Sequence, residues 1–243
     1  MSASSFPGGT SLSHLDIYAD AAADGVCGGS PHMHLVSTEA YVVVEGRGAL
    51  QTIDGEGFHE TELEAGSVVW FTPGTIHRAV NRGGLKVIVL MSNAGLPEAG
   101  DAVMTFPADV VADPDAYAAA ASLGEAESRA ERAPRRRDLA VAGFGALRDA
   151  VTAGDRGPLE DFYAAAGALV ARRASAWGQL VRERPLAQAE RSFALTEAIA
   201  RGDVAHLRDA RVHEAPAPAA DRGYGMCGRI RAYDVTDLQE SPR

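Results

Sequence analysis

Apolar and polar positions alternate in short runs along roughly the first hundred residues. "HLDIYA", "EAYVVVEG", "GALQTI", "FHETEL", "SVVWFT" and "LKVIVLM" follow one another, each of strand length and each separated from the next by a turn signal. Many short strands with glycine-bearing turns predict an antiparallel sandwich or barrel. In "IDGEGF" the Asp54-Gly55 pair supplies the positive φ that a tight hairpin needs. Gly66 marks another turn, and Gly46 is expected to end the strand that starts at Glu39.

Beyond Phe106-Pro107 the period changes. The segments 108–132, 135–154, 158–184 and 185–202 are rich in Ala, Leu and Arg at helical spacing. Pro158 and Pro185 stand where first-turn prolines are tolerated, and Gly154 and Gly202 where helices end. "GMCGRIRAY" then alternates like a late strand returning to the barrel edge. The expected class is α+β, with an N-terminal antiparallel β-barrel or jelly roll over 1–107. A helical region over 108–243 follows, with a returning strand near 224–234.

Composition narrows the functional classes. The chain is 46% hydrophobic and 23% charged, as ordinary globular proteins are, and its net charge of -10 argues against a nucleic-acid surface. The one basic run, Arg135-Arg136-Arg137 beside Asp138, reads as a solvated helix start. The opening residues lack the basic and apolar regions of a signal peptide, and no apolar run approaches the ~20 residues that span a bilayer. Two cysteines, Cys27 and Cys227, make no disulfide framework, so a cytoplasmic location is expected.

The chemistry concentrates in "PHMHLVSTEAYVVVEG", residues 31–46. In an extended segment His32 and His34 share a face. Glu39 lies an odd number of positions beyond His34, so a turn at Ser37-Thr38 is needed to aim it at the same point; Tyr41 and Val43 then share its face. "GSVVWFTPGTIHRAVN", residues 66–81, brings His77 to the start of another strand. Burying such groups unpaired costs roughly 2–7 kcal/mol each for neutral ones and more for a charge. One divalent cation would stabilise all four. Imidazole suits Fe, Ni, Cu and Zn, and a carboxylate also accommodates Mn.

These two segments resemble the motifs of the cupin superfamily. His32, His34, Glu39 and Gly46 match G-x5-H-x-H-x3/4-E-x6-G, although Val26 stands at the leading glycine. Gly66, Gly74, His77 and Asn81 match G-x5-P-x-G-x2-H-x3-N, with Thr72 at the proline position and Pro73 after it. The resemblance covers about residues 12–95 and implies a small antiparallel barrel, often a homodimer, in which His32, His34, Glu39 and His77 hold one metal ion. Positions left open on the ion then serve chemistry. Fe(II) is the favoured ion, implying an oxygenase acting on a small polar metabolite that chelates it, with Mn, Ni, Zn or Cu as alternatives. A redox-silent ion implies a metal-assisted isomerase or lyase. A small-ligand sensor without turnover is the non-catalytic alternative, although the helices carry no helix-turn-helix cue.

Around this site, Tyr41 is either a proton donor to substrate or a barrel-lining aromatic. Gln51 faces inward if Ala49 and Ile53 line the barrel, and is otherwise a solvent-facing amide. Trp70 is expected in the core or a pocket wall, Arg78 opposite His77, and Asn81 in a turn-stabilising role. His59 is expected to be exposed, and His206 and His213 to lie on one helical face if that helix continues. Cys27 is close enough to line the site mouth, and Cys227 reads as a plain buried thiol. The helices after residue 107 are expected to pack on the barrel or on each other, with a lid over the barrel mouth as one role open to them.

Overall fold

In the computed structural model, residues 6–235 and the backbone of 239–240 are described. The expected region ends at 1–5, 236–238 and 241–243, including the first residues of the stretch read for a targeting signal, lie outside the described residues. Seven strands come first: β1 (Ser11–Ile17), β2 (His32–His34), β3 (Glu39–Asp54), β4 (Gly57–Glu64), β5 (Val68–Phe71), β6 (Ile76–Met91) and β7 (Ala102–Met104). Five α-helices follow: α1 (Ala108–Ala112), α2 (Pro114–Ala121), α3 (Arg129–Thr152), α4 (Gly157–Val181) and α5 (Ala187–Ala200). The short strands β8 (His213–Glu214), β9 (Gly223–Tyr224), β10 (Gly228–Tyr233) and β11 (Gln239–Glu240) complete the order. The class is α+β, an antiparallel sheet followed by helices.

The main sheet runs β4-β3-β6-β1-β10-β9, with β5 on the first half of β3 and β2 between β6 and β7. The late strand does return, because β10 pairs antiparallel with β1 from Leu12↔Tyr233 to Ile17↔Gly228. Gly46, by contrast, does not end its strand. β3 runs on for 16 residues against β6, with register shifts between Val43 and Gly48. Gly46 has φ 76°, and a Cβ there would lie 2.3 Å from the Gly84 carbonyl, so glycine lets the two strands bend together.

That bend exchanges the faces of β3. Before it, Glu39, Tyr41 and Val43 point inward; after it, Leu50 does, joining Leu15, Val87 and Val89 in the barrel core. Ile53 instead faces out, with Met33, Ile76 and Val103, into a second apolar layer formed with Phe144, Phe162 and Trp177 of the helices. Gln51 accordingly turns from the interior and its amide donates to Glu60 at 2.9 Å. The helices therefore cover the outer face of the sheet, on the side of Met33 rather than of His32 and His34. Packing on the barrel is one of the two arrangements expected of them.

Two further expectations change. Segment 108–132 breaks at Asp113-Pro114, where the Asp113 carboxylate caps α2 by accepting from the Asp115 and Ala116 amides. Pro185 does not open a separate helix. It lies in a π-helical turn, Arg182–Leu186, that carries α4 into α5, and such a turn tolerates the missing donor. Pro158, Gly154 and Gly202 stand where expected. The basic run is not simply solvated either. Arg137 is 3% exposed and bonds the Asp20 carboxylate and the Asp20 and Ala21 carbonyls, while Arg136 donates to the Gly225 carbonyl. Only Arg135 remains on the surface, paired with Glu131. The run is a clamp between α3 and the barrel.

α3 packs closely where Gly143 faces the Thr105–Phe106 backbone just after β7, and a Cβ there would lie 2.1 Å from the Thr105 carbonyl oxygen. Gly143→Ala should destabilise the protein by about 1–3 kcal/mol through overpacking. Gly145→Ala, two residues on and facing open space, should be neutral or stabilising. Urea denaturation of the pair reads the difference, and equal stabilities would contradict the close approach.

Candidate metal centre

β2 presents His32 and His34 on one face, and Met33 points away into the outer layer. Bends at Leu35 and Val36, two residues before the expected Ser37-Thr38 position, turn the chain so that β3 opens with Glu39 facing inward, the change of parity the sequence requires. His77 enters from β6, where it pairs with His32 on one side and Thr52 on the other. One ligand atom from each of His32, His34, Glu39 and His77 falls within 4.8 Å of the others. None of the four is more than 5% exposed.

The orientation of the imidazoles is fixed from behind. His32 Nδ1 meets the Ser30 carbonyl at 2.9 Å and His77 Nδ1 meets the Thr75 carbonyl at 3.2 Å. With Nδ1–H donating to a carbonyl, each Nε2 carries its lone pair toward the centre. His34 Nε2 and His77 Nε2 lie 3.1 and 3.2 Å from the same oxygen, Glu39 Oε2. Among the described residues, Glu39 Oε2 and His77 Nε2 nevertheless have no hydrogen-bond partner of acceptable geometry. Buried polar atoms aimed at one another without bonding leave the hydration they lost unreplaced. Three imidazoles and a carboxylate so arranged fit a divalent ion of the transition series.

Residues 23–92 match the cupin domain family model. The chain carries a cupin domain. Its fold neighbours among solved structures include Streptomyces PAC13 with uridine, at 14% identity over 39% of this chain and 65% of that one, TM-score 0.30. A cupin protein from Bacteroides fragilis aligns at 22% identity over 35% and 65%, TM-score 0.26. An uncharacterized conserved protein with a double-stranded β-helix domain from Klebsiella pneumoniae aligns at 21% over 34% and 62%, TM-score 0.25. The chain thus spans under two thirds of these neighbours' lengths, and no curated protein matches it.

One organiser of the cupin site has no signature in the sequence. Asp101, fully buried, accepts the backbone N–H groups of Leu35 and Val36 on Oδ1, at 3.1 and 2.8 Å, and that of Ser37 on Oδ2 at 2.9 Å. The same Oδ2 stands 3.6 Å from His34 Nδ1. One carboxylate thereby holds both the loop that turns Glu39 inward and the back of a cluster imidazole. Burial would lower the His34 pKa, but the Asp101 and Glu39 carboxylates outweigh it and raise it to about 9. Burial lowers that of His32 well below its ordinary value, with His77 and His34 adding to it. Glu39 is held far below the carboxylate range, because His77 and His34 overcome the effect of burial.

Tyr41 shares the inward face as expected, fully buried, with its ring against Phe71 at 5.4 Å and 6.5 Å from His77. Its hydroxyl lies 3.4 Å from Cys227 Sγ. Burial, then Cys227 and Glu39, raises the phenol well above its ordinary value, and burial pushes the thiol up to about 12. Both stay protonated at neutral pH.

The other candidates lie elsewhere in the cupin domain or outside it. Arg78 points away from His77 and pairs with Asp24 at 2.5 Å. Asn81 ties β6 to β1 and to its own turn by donating to the Ile17 carbonyl and accepting from the Gly83 and Leu85 amides. Trp70 is not core: it is 69% exposed, on the edge strand β5. His59 is half exposed. His206 sits in a 3-10 turn and His213 in β8, so no helix joins them. Cys27 is half-buried in a loop bridge with Ala21.

A histidine raised above its unfolded pKa of about 6.5 takes up a proton on folding. In metal-free protein that stabilisation is complete below about pH 6.5 and is lost as pH rises through about 9. Thermal melts across this window should fall with pH, and Asp101→Asn should flatten the dependence and lower stability at pH 6.5. An unchanged slope in the variant would remove Asp101 from this role.

Proposed function

We propose that the chain is a metal-dependent enzyme in which His32, His34, Glu39 and His77 hold one divalent ion. The observation that carries this reading is the buried convergence of the four side chains, with Glu39 Oε2 and His77 Nε2 unbonded at its centre. Four protein ligands leave two positions on a six-coordinate ion, and bound Fe(II) would supply dioxygen and substrate activation side by side. The finer proposal is therefore an oxygenase acting on a small molecule.

The protein's own groups supply orientation and dryness. The Ser30 and Thr75 carbonyls hold His32 and His77, and the Asp101 carboxylate stands 3.6 Å behind His34, before any ligand arrives, so little reorganisation accompanies binding. The apolar interior around Tyr41, Phe71 and Val89 excludes water from the inner side. Tyr41 is proposed to hold its proton for donation, with Cys227 fixing its hydroxyl. That proton favours a second reading, a metal-assisted lyase or isomerase, which needs an acid and no oxidant.

His77→Ala should reduce the bound ion, read by elemental analysis of purified protein, from one per chain to near zero while the far-UV spectrum is retained. Full metal content in that variant would contradict the ligand set. Oxygen uptake by Fe(II)-loaded protein against a panel of small hydroxylated molecules supports the oxygenase. Turnover by Zn(II)-loaded protein without oxygen supports the lyase or isomerase, and there Tyr41→Phe should cost about 10²–10⁴-fold. Unchanged turnover would reduce Tyr41 to a lining residue.

A further inference from the structure

The bend in β3 creates a cavity whose chemistry bears on the substrate. β5 pairs with Glu39–Val42 and β4 with Arg47–Asp54, so the two partners diverge on either side of Gly46. In the corner between them lies a shallow, solvent-open cavity of about 470 Å³. Leu50, Thr52, Thr61, Val69, Phe71 and Thr75 line it, with Trp70 and Asp54 at its rim.

This corner adjoins the cluster. Thr52 is the register partner of His77, so the two share a face of the sheet. Phe71 is the register partner of Glu39, and its ring rests 4.2 Å from that of His77. Thr75 holds His77 Nδ1 through its carbonyl. A molecule seated on Phe71 and Thr75 touches two residues that themselves contact His77.

The lining selects a ligand by what it offers and by what it lacks. The threonines, Thr72 included, offer hydroxyls that donate and accept, and Leu50, Val69, Phe71 and Trp70 offer apolar and aromatic surface. No lysine or arginine is among the lining residues, and the one charged group is the Asp54 carboxylate. Arg156, at the tip of the β3–β4 hairpin, is engaged with the Gly55 carbonyl. In the metal-free protein a phosphate or a polycarboxylate entering here would lose water without gaining a counter-charge.

We propose that this cavity is the substrate compartment of the metal centre, and that it takes an uncharged molecule with a planar apolar part and hydroxyl groups, excluding phosphorylated ones. The proposal rests on the metal-enzyme reading for the word substrate, while the binding preference stands on the cavity alone. It replaces the wide class of small polar metabolites with a narrower one.

Trp70 provides the readout, since the other tryptophan, Trp177, is buried among the helices and bonded to the Ala99 carbonyl. Resorcinol and phenyl phosphate are titrated into metal-free full-length protein, with emission followed and Trp70→Phe as the background. Resorcinol should shift the emission saturably, and phenyl phosphate should bind at least tenfold more weakly. Thr61→Arg, at an exposed position of β4, should strengthen phenyl phosphate at least tenfold. Equal or tighter binding of phenyl phosphate by the unaltered protein overturns the proposal, as does no response to either probe, or no change in Thr61→Arg. Elemental analysis of the same sample separates the two readings. A chain without bound ion after incubation with Fe(II) or Zn(II) defeats the metal centre, whereas the titration alone judges the cavity.

Discussion

Four ionisable side chains share one dry point inside an apolar sheet, and the cost of keeping them there governs the surrounding architecture. Glu39 stays charged because two imidazoles face it, and those imidazoles stay oriented because backbone carbonyls and Asp101 hold their far sides. Removing one member would leave another buried charge or lone pair uncompensated, which costs far more than the pair contributes. The loops around the centre are therefore bonded more densely than their lack of regular structure suggests. Asp101 alone accepts three backbone donors from Leu35, Val36 and Ser37.

Much of this was legible in the sequence. The strand runs, the shift to helical spacing after Pro107 and the returning strand all follow from periodicity, which reports the face a residue presents. The four converging residues were legible because their spacing fits alternation plus one change of direction between His34 and Glu39, although the bends fall at Leu35 and Val36 and not at Ser37-Thr38. What stayed hidden depends on long-range geometry. Alternation looks the same on both sides of a bulge, so Leu50 and Ile53 exchange faces unannounced beyond Gly46. Asp101 sits in an ordinary turn-rich stretch, and only the folded chain brings it to His34. The arginines at 136 and 137 look solvated because their partners, Gly225 and Asp20, are distant in sequence.

The helical half acquires a role from its contacts. Its aromatic and aliphatic side chains form an apolar layer with the outward residues of β7 and of β2, β3 and β6, the three strands whose inward residues build the centre. Thr105 donates to the Ala140 carbonyl, Tyr163 to that of Gly74, and Trp177 to that of Ala99. Gly74 lies in the turn before His77, and Ala99 lies two residues before Asp101. The helices thus buttress the segments that carry the cluster from outside, leaving the corner between β4 and β5 uncovered.

The pairing of β10 with β1 has a consequence for biosynthesis. Leu12 finds its neighbour Tyr233 only after the helices between them have been translated, so until then β1 presents a bare edge. Cys227 arrives with the same segment and reaches Tyr41 at that late moment. This piece of the barrel interior is therefore translated after all five helices, and the nascent sheet must wait, with its helices already emerging, for its own closure.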